Sequence, residues 1–131
     1  MKNTIISILV AGVVIAGAII FAGRGYQPST SQNIPANNVI IENGKQIIEI
    51  KARGGYQPRV SVAKLGIPTV LRFETSGTFD CSSSVRIPSL GISKYLPQTG
   101  TTDIDLGSSQ SGILQGSCGM GMYPFEVDFQ N

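Results

Sequence analysis

From Ile5 to Ala22 the chain runs for 18 residues of which 15 are apolar, broken only by Ser7, Gly12 and Gly17, and no charge stands between Lys2 and Arg24. Nothing else in the sequence constrains the fold as strongly. At ~1.5 Å per helical residue such a run covers roughly 30 Å, the thickness of a bilayer's hydrocarbon core, whereas the apolar part of a secretory signal needs only about 7–15 residues. Ala16-Gly17-Ala18 offers a small-residue cleavage site, but Ile19-Ile20-Phe21 carries the apolar run past it. Residues 1–23 are therefore expected to form an uncleaved single-pass helix in the cell membrane. One basic residue on each side gives the positive-inside rule no imbalance to act on.

Residues 24–38 are rich in Gly, Ser, Asn, Gln and Pro and read as a flexible linker. Gly25-Tyr26-Gln27-Pro28 returns as Gly55-Tyr56-Gln57-Pro58, but the flanking residues do not repeat, so there is no second copy of a folded unit. The globular part is 39–131. It holds eight basic and eight acidic residues, and the surplus of +2 in the whole chain is Lys2 and Arg24, beside the apolar run. That leaves no nucleic-acid footprint. After Lys94 come Asp103, Asp105, Glu126 and Asp128 and no basic residue, so the C-terminal part is expected to offer a negative surface to a basic partner.

Within 39–131 apolar residues recur at every second position. Ile48, Ile50 and Ala52 alternate with Ile47, Glu49 and Lys51, and the same period runs through 60–62, 70–75, 102–106 and 125–129. Between these lie Arg53-Gly54-Gly55, Leu65-Gly66-Ile67-Pro68, Ser76-Gly77 and Ser108 to Gly112, all turn chemistry. About seven short strands predict an all-β domain, a Greek-key sandwich or small barrel, with Tyr56, Phe73, Phe79, Tyr95, Phe125 and Phe129 supplying its core. Leu96-Pro97-Gln98-Thr99-Gly100 spells a sortase pattern, but the 31 residues after it contain no hydrophobic span and no Lys or Arg, so it reads as another turn.

The chain has no histidine. That removes the imidazole base, the Cys-His and Ser-His nucleophile pairs and every nitrogen-based metal site; with no base beside either thiol, no enzymatic activity is expected. What remains is sulfur. Apart from Met1 the methionines are Met120 and Met122, two and four residues after Cys118 in Cys118-Gly119-Met120-Gly121-Met122. The glycines allow the backbone to turn the three sulfurs toward one point. Thiolate and thioether are soft ligands that select Cu(I), whereas a blue-copper electron carrier needs two His and a structural zinc site four Cys or His. The second thiolate is Cys81. Two thiolates balance two Cu(I) charges, so the cluster would hold one ion, or two bridged by the cysteines with Met120 and Met122 as outer ligands. The rival reading is a disulfide between Cys81 and Cys118, worth about 3–4 kcal/mol by loop entropy, stapling a surface domain that carries no metal. A copper-sequestering module that never hands its metal on is a third.

The stretch from about Gln46 to Phe129 resembles the cupredoxin-like domains of bacterial copper-resistance systems, and with its N-terminal anchor the chain is similar to membrane-anchored Cu(I) chaperones of the CupA type. The resemblance is carried by Gly54 to Pro58 (GGYQP), Ala63 to Pro68 (AKLGIP), Leu71-Arg72-Phe73, the lone Cys81, Ile87 to Ile92 (IPSLGI), Leu96-Pro97 and the CGMGM motif from Cys118 to Met122. It implies Cys81 and Cys118 as thiolate ligands, Met120 and Met122 as thioethers, and a copper-exporting P-type ATPase as the partner that receives Cu(I), giving copper tolerance. Cysteines that must stay reduced imply a domain on the cytoplasmic face. Two departures stand out: Gly116 replaces an aromatic before the cysteine, and Tyr123-Pro124-Phe125 replaces a glycine-containing turn.

Overall fold

The computed structural model describes residues 37–131, so the anchor expected over 1–23 and most of the linker lie outside the described residues. Among the described residues no helix is long and apolar enough to cross a membrane. Ten strands follow in order: β1 (Val39–Glu42), β2 (Lys45–Ala52), β3 (Tyr56–Gln57), β4 (Val60–Lys64), β5 (Thr69–Thr75), β6 (Ser84–Ile87), β7 (Ile92–Tyr95), β8 (Gly100–Gly107), β9 (Gly112–Ser117) and β10 (Pro124–Gln130). They form two five-stranded sheets, one ordered β1-β2-β5-β8 with β3 paired to the end of β2, the other β4-β10-β9-β6-β7. This is the expected all-β sandwich, with three more strands than the turn signals marked.

Each sheet contains one parallel pair, β2 with β5 and β4 with β10, while the other pairs are antiparallel. The inner faces meet over a core in which Ile48, Ile50, Leu71 and Phe73 of the first sheet face Val85, Ile87, Leu114 and Val127 of the second. Tyr56, Phe73 and Phe125 form a triangle of edge-to-face rings with centroids 5.0–5.8 Å apart. Such pairs add roughly 0.5–1.5 kcal/mol each beyond the area they bury.

Two aromatics expected in this core are outside it. Phe79 is 75% and Tyr95 85% exposed. Phe79 belongs to no strand: Thr78 before it is buried, its hydroxyl bonded to the carbonyl of Ala52, so Phe79 is turned outward. Tyr95 ends β7, an edge strand that buries little, and the inward position falls to Leu96 after it.

Candidate metal centre

Cys81 and Cys118 come together at one end of the second sheet. Cys81 opens a short 3-10 turn, Cys81–Ser83, that feeds β6, and Cys118 directly follows β9. β6 and β9 are joined through the single register pair Arg86–Ser117, which brings the two cysteines side by side. Their Cα atoms are 5.6 Å apart and their sulfurs are bonded as a disulfide. The sulfur pair is unequally placed: Cys118 is fully buried, whereas Cys81 is partly exposed.

Side-chain hydrogen bonds fix the Cys81 turn. Asp80 caps it, accepting from the N–H and the hydroxyl of Ser82 and, at 2.8 Å, from the N–H of Gly54 in the turn between β2 and β3. These donors, the Ser82 hydroxyl foremost, hold the Asp80 carboxyl below its ordinary range against the opposing effect of burial. Ser84 links the turn to the other cysteine. Its hydroxyl donates to the carbonyl of Cys81 at 3.2 Å and accepts from the N–H of Gly119 at 2.9 Å. The hydroxyl of buried Tyr56 in turn donates to the carbonyl of Ser84 at 2.7 Å. Burial, with the nearby Asp80 charge, pushes the Tyr56 hydroxyl well above its ordinary pKa, so it remains a donor throughout the neutral range.

The methionine segment is the loop between β9 and β10. Cys118 N–H donates to the carbonyl of Tyr123 at 3.0 Å and Gly121 N–H to the carbonyl of Cys118 at 2.9 Å, closing a tight turn around Met120. The two loop glycines do different jobs. Gly121 takes φ +74°, a left-handed conformation that glycine adopts without strain. Gly119 instead answers a close approach, because a Cβ there would lie 2.7 Å from the Ser84 hydroxyl. Met120 is 81% and Met122 60% exposed, and neither packs into the core. Met122 lines a cleft of about 300 Å³ with Gly54, Gly55, Arg59 and Tyr123.

The four sulfurs singled out from the sequence thus gather at one end, the cysteines bonded and the methionines exposed on the adjoining loop. Among the described residues no three His, Cys, Asp or Glu cluster, so a metal held here would depend on sulfur. The supporting groups Asp80, Ser84 and Tyr56 were not anticipated. Asp80-Cys81-Ser82 does carry the signature of a side-chain-capped turn, which could have drawn attention to Asp80.

The smallness of Gly116 has a structural reason. Gly116 and Phe125 are register partners, and a Cβ at Gly116 would lie 2.2 Å from the Phe125 ring. The Phe125 ring fills the space that a side chain at 116 would take, in the same buried cluster as Cys118.

The acidic residues after Lys94 do not form one patch. Asp103 and Asp105 lie on β8 of the first sheet, Asp103 paired with Arg72 at 2.9 Å, while Glu126 and Asp128 lie on β10 of the second. Adjacency in sequence is undone because consecutive strands enter different sheets.

No curated protein sequence matches this chain. Among solved structures it is similar to the metal-binding domain of the Cu(I)-exporting P-type ATPase CopA of Streptococcus pneumoniae D39, crystallised with Cu(I), at 26% identity and a TM-score of 0.65, covering 71% of this chain and 93% of that one. It is also similar to a copper-binding protein whose solution structure was determined in the apo form, at 25% identity and a TM-score of 0.64, covering 70% of this chain and 94% of that one. The model of the cupredoxin-like domain family matches residues 13–127, and with the sandwich described here this places the chain in the cupredoxin-like domain family.

Proposed function

We propose that the protein is a membrane-anchored Cu(I) carrier of the CupA type that binds copper through Cys81, Cys118, Met120 and Met122 and hands it to a copper-exporting P-type ATPase. The observation that carries this reading is the meeting of the two cysteines, 37 residues apart in sequence, beside a loop that exposes two thioethers. Loading requires a thiol reductant to give the disulfide two electrons, with two protons from water, leaving two thiols whose protons pass to solvent as Cu(I) takes their place. The buried Cys118 and half-buried Cys81 then supply the anionic ligands, and the exposed methionines are the sulfurs an acceptor reaches first. One Cu(I) uses both thiolates; a second is charge-balanced if the thiolates bridge. Transfer proceeds by ligand exchange, with affinity setting its direction, so the protein acts as a carrier and not as an enzyme. A requirement for reduced thiols favours a domain on the cytoplasmic side of the membrane, beside the pump's intake.

Competitive Cu(I) titration of the reduced full-length chain tests the reading. Wild type should hold copper, and Cys118→Ser should lose about 100-fold or more in affinity. Equal binding by the two ends the carrier proposal. The bonded cysteines favour one other reading, a stapled domain without metal. It predicts that the reduced wild type takes up no Cu(I) and loses about 2–5 kcal/mol of stability relative to the oxidised form.

A further inference from the structure

The sulfur end of the sandwich is ringed by exposed apolar side chains and by cations that form no ion pair. Met120, Met122, Phe79 and Tyr95 are all between 60% and 85% exposed. Phe79 stands two residues before Cys81, and Tyr95 is the register partner of Ser84, whose hydroxyl holds Gly119. Around them are three exposed arginines. Arg53 adjoins Gly54, the donor to Asp80; Arg59 lines the cleft with Met122; Arg86 reaches the carbonyl of Gly119 at 3.4 Å. Lys94, beside Tyr95, is exposed as well.

The sole ion pair among the described residues is Arg72–Asp103, so these four cations are unpaired. Of the carboxylates, Asp80 is occupied by its own turn, and Glu126 lies beside Arg59 in a neighbouring cleft. Glu74, at this end of β5, stands opposite Lys51 in register, and the other five are distributed along β1, β2, β8 and β10. With Asp80 engaged in its turn and Glu74 matched by Lys51, the rim keeps an excess of positive charge where the sulfurs are exposed.

We infer that this rim is a docking surface for a protein partner that presents carboxylates around an apolar centre. The sign is opposite to the one suggested by the run of acids after Lys94. The inference rests on the carrier reading for its choice of a protein over a lipid surface. Handing on a soft metal requires the partner's own ligands to approach Met120 and Met122, and a phosphate headgroup brings none. Unpaired arginines at the edge of such a surface act mainly on encounter rate and on partner selection, and their effect weakens with salt.

The test uses the reduced, copper-free full-length chain in nanodiscs of uncharged-net lipid, so that it does not depend on copper. The probe is a decapeptide of alternating Glu and Leu, with a Lys-Leu peptide and phosphatidylglycerol vesicles in parallel, and amide shifts are the readout. The Glu-Leu peptide should move the amides of Gly54, Phe79, Arg86, Tyr95 and Gly119 to Met122. Arg53→Glu/Arg59→Glu/Arg86→Glu should weaken it by about tenfold, and Lys45→Glu/Lys64→Glu, at the opposite ends of β2 and β4, should not. Shifts elsewhere, equal loss in both variants, or preference for the Lys-Leu peptide overturn the inference. Tighter binding to the vesicles through the same residues overturns it in favour of a lipid surface. Failure of wild type to hold Cu(I) in the titration above sinks the carrier reading alone, since the peptide arm reports on the rim directly.

Discussion

The cysteine side and the methionine side of the same site are built on opposite plans. Cys81 is held by a turn whose every member is tied down: Asp80 to Ser82 and Gly54, Ser84 to both Cys81 and Gly119, Tyr56 to Ser84. Cys118 is fully buried, in the same core cluster as Tyr56, Phe73 and Phe125. Met120 and Met122 sit on a loop closed by two backbone hydrogen bonds and are mostly exposed. On the carrier reading proposed above, the contrast would separate two requirements. Thiolates held at fixed positions before the metal arrives would set affinity, and exposed thioethers would let a second set of ligands approach and compete.

The largest effect on this contrast should come from below. Gly116→Ala drives a methyl into the Phe125 ring, which is itself wedged against Tyr56 and Phe73. Overpacking of this kind costs about 3 kcal/mol, a fall in melting temperature of roughly 12–20 °C for a domain of this size. Thermal unfolding measures it directly. If the cysteine side depends on that core, copper affinity should fall with stability. A melting temperature within a few degrees of wild type would show that Phe125 has room to move.

Met120→Leu/Met122→Leu should do the reverse. Both positions are exposed, so stability should stay within about 0.5 kcal/mol, while Cu(I) affinity drops about tenfold and transfer to an acceptor slows. Loss of stability together with copper would mean that the methionines pack, and would erase the distinction between the two sides.

The bridge between the sides is Ser84 to Gly119, and a double-mutant cycle isolates it. Ser84→Ala removes two hydrogen bonds, to the Cys81 carbonyl and from the Gly119 N–H, each worth about 1 kcal/mol. Gly119→Ala places a methyl 2.7 Å from the same hydroxyl and should cost at least as much as one of them. In the double variant the hydroxyl is gone and the clash is relieved, so its cost should be less than the sum of the two. Additive costs, read from urea midpoints, would show that the two residues do not meet.

Much of the fold was legible because burial in β2, β5, β8 and β10 follows the period of two that the sequence displays. Where polar residues face inward the period misleads. In β4 the buried positions are Ser61 and Ala63, not the valines beside them, since Ser61 receives the Asn38 amide from 23 residues away. Gln46 is buried for a similar reason, bonded to the backbone of Lys64 and to Thr69. No local pattern encodes such pairings. Phe79 and Tyr95 were misplaced because hydrophobicity alone does not tell a core residue from one at the rim of a site. In the site itself the sulfurs were legible from residue type and spacing. Their supports were not, because Asp80, Ser84 and Tyr56 act on backbone groups 26 to 35 residues distant.

The smallest effect is the most specific test of how the cysteine turn is held. The Asp80 carboxyl has its pKa lowered in the folded chain, chiefly by the Ser82 hydroxyl, relative to about 3.9 when unfolded. A group depressed in this way binds its proton more readily in the unfolded state. Its contribution is therefore complete above the unfolded value and is lost as pH falls through the folded one. Asp80→Asn keeps the oxygen that caps Ser82 but sets an amide NH2 against the Gly54 N–H, so at pH 7 it loses the charge and that exposed hydrogen bond, about 0.5–1 kcal/mol. The gap in urea midpoint between wild type and variant should hold steady from pH 7 to pH 5 and close below pH ~3.9, as the wild-type carboxylate takes up its proton. A gap that persists at acid pH would mean that the shape of the turn, and not the charge of Asp80, fixes Cys81. In that case the rigid side of the site owes nothing to electrostatics, and the contrast with the methionine loop rests on packing and neutral hydrogen bonds alone.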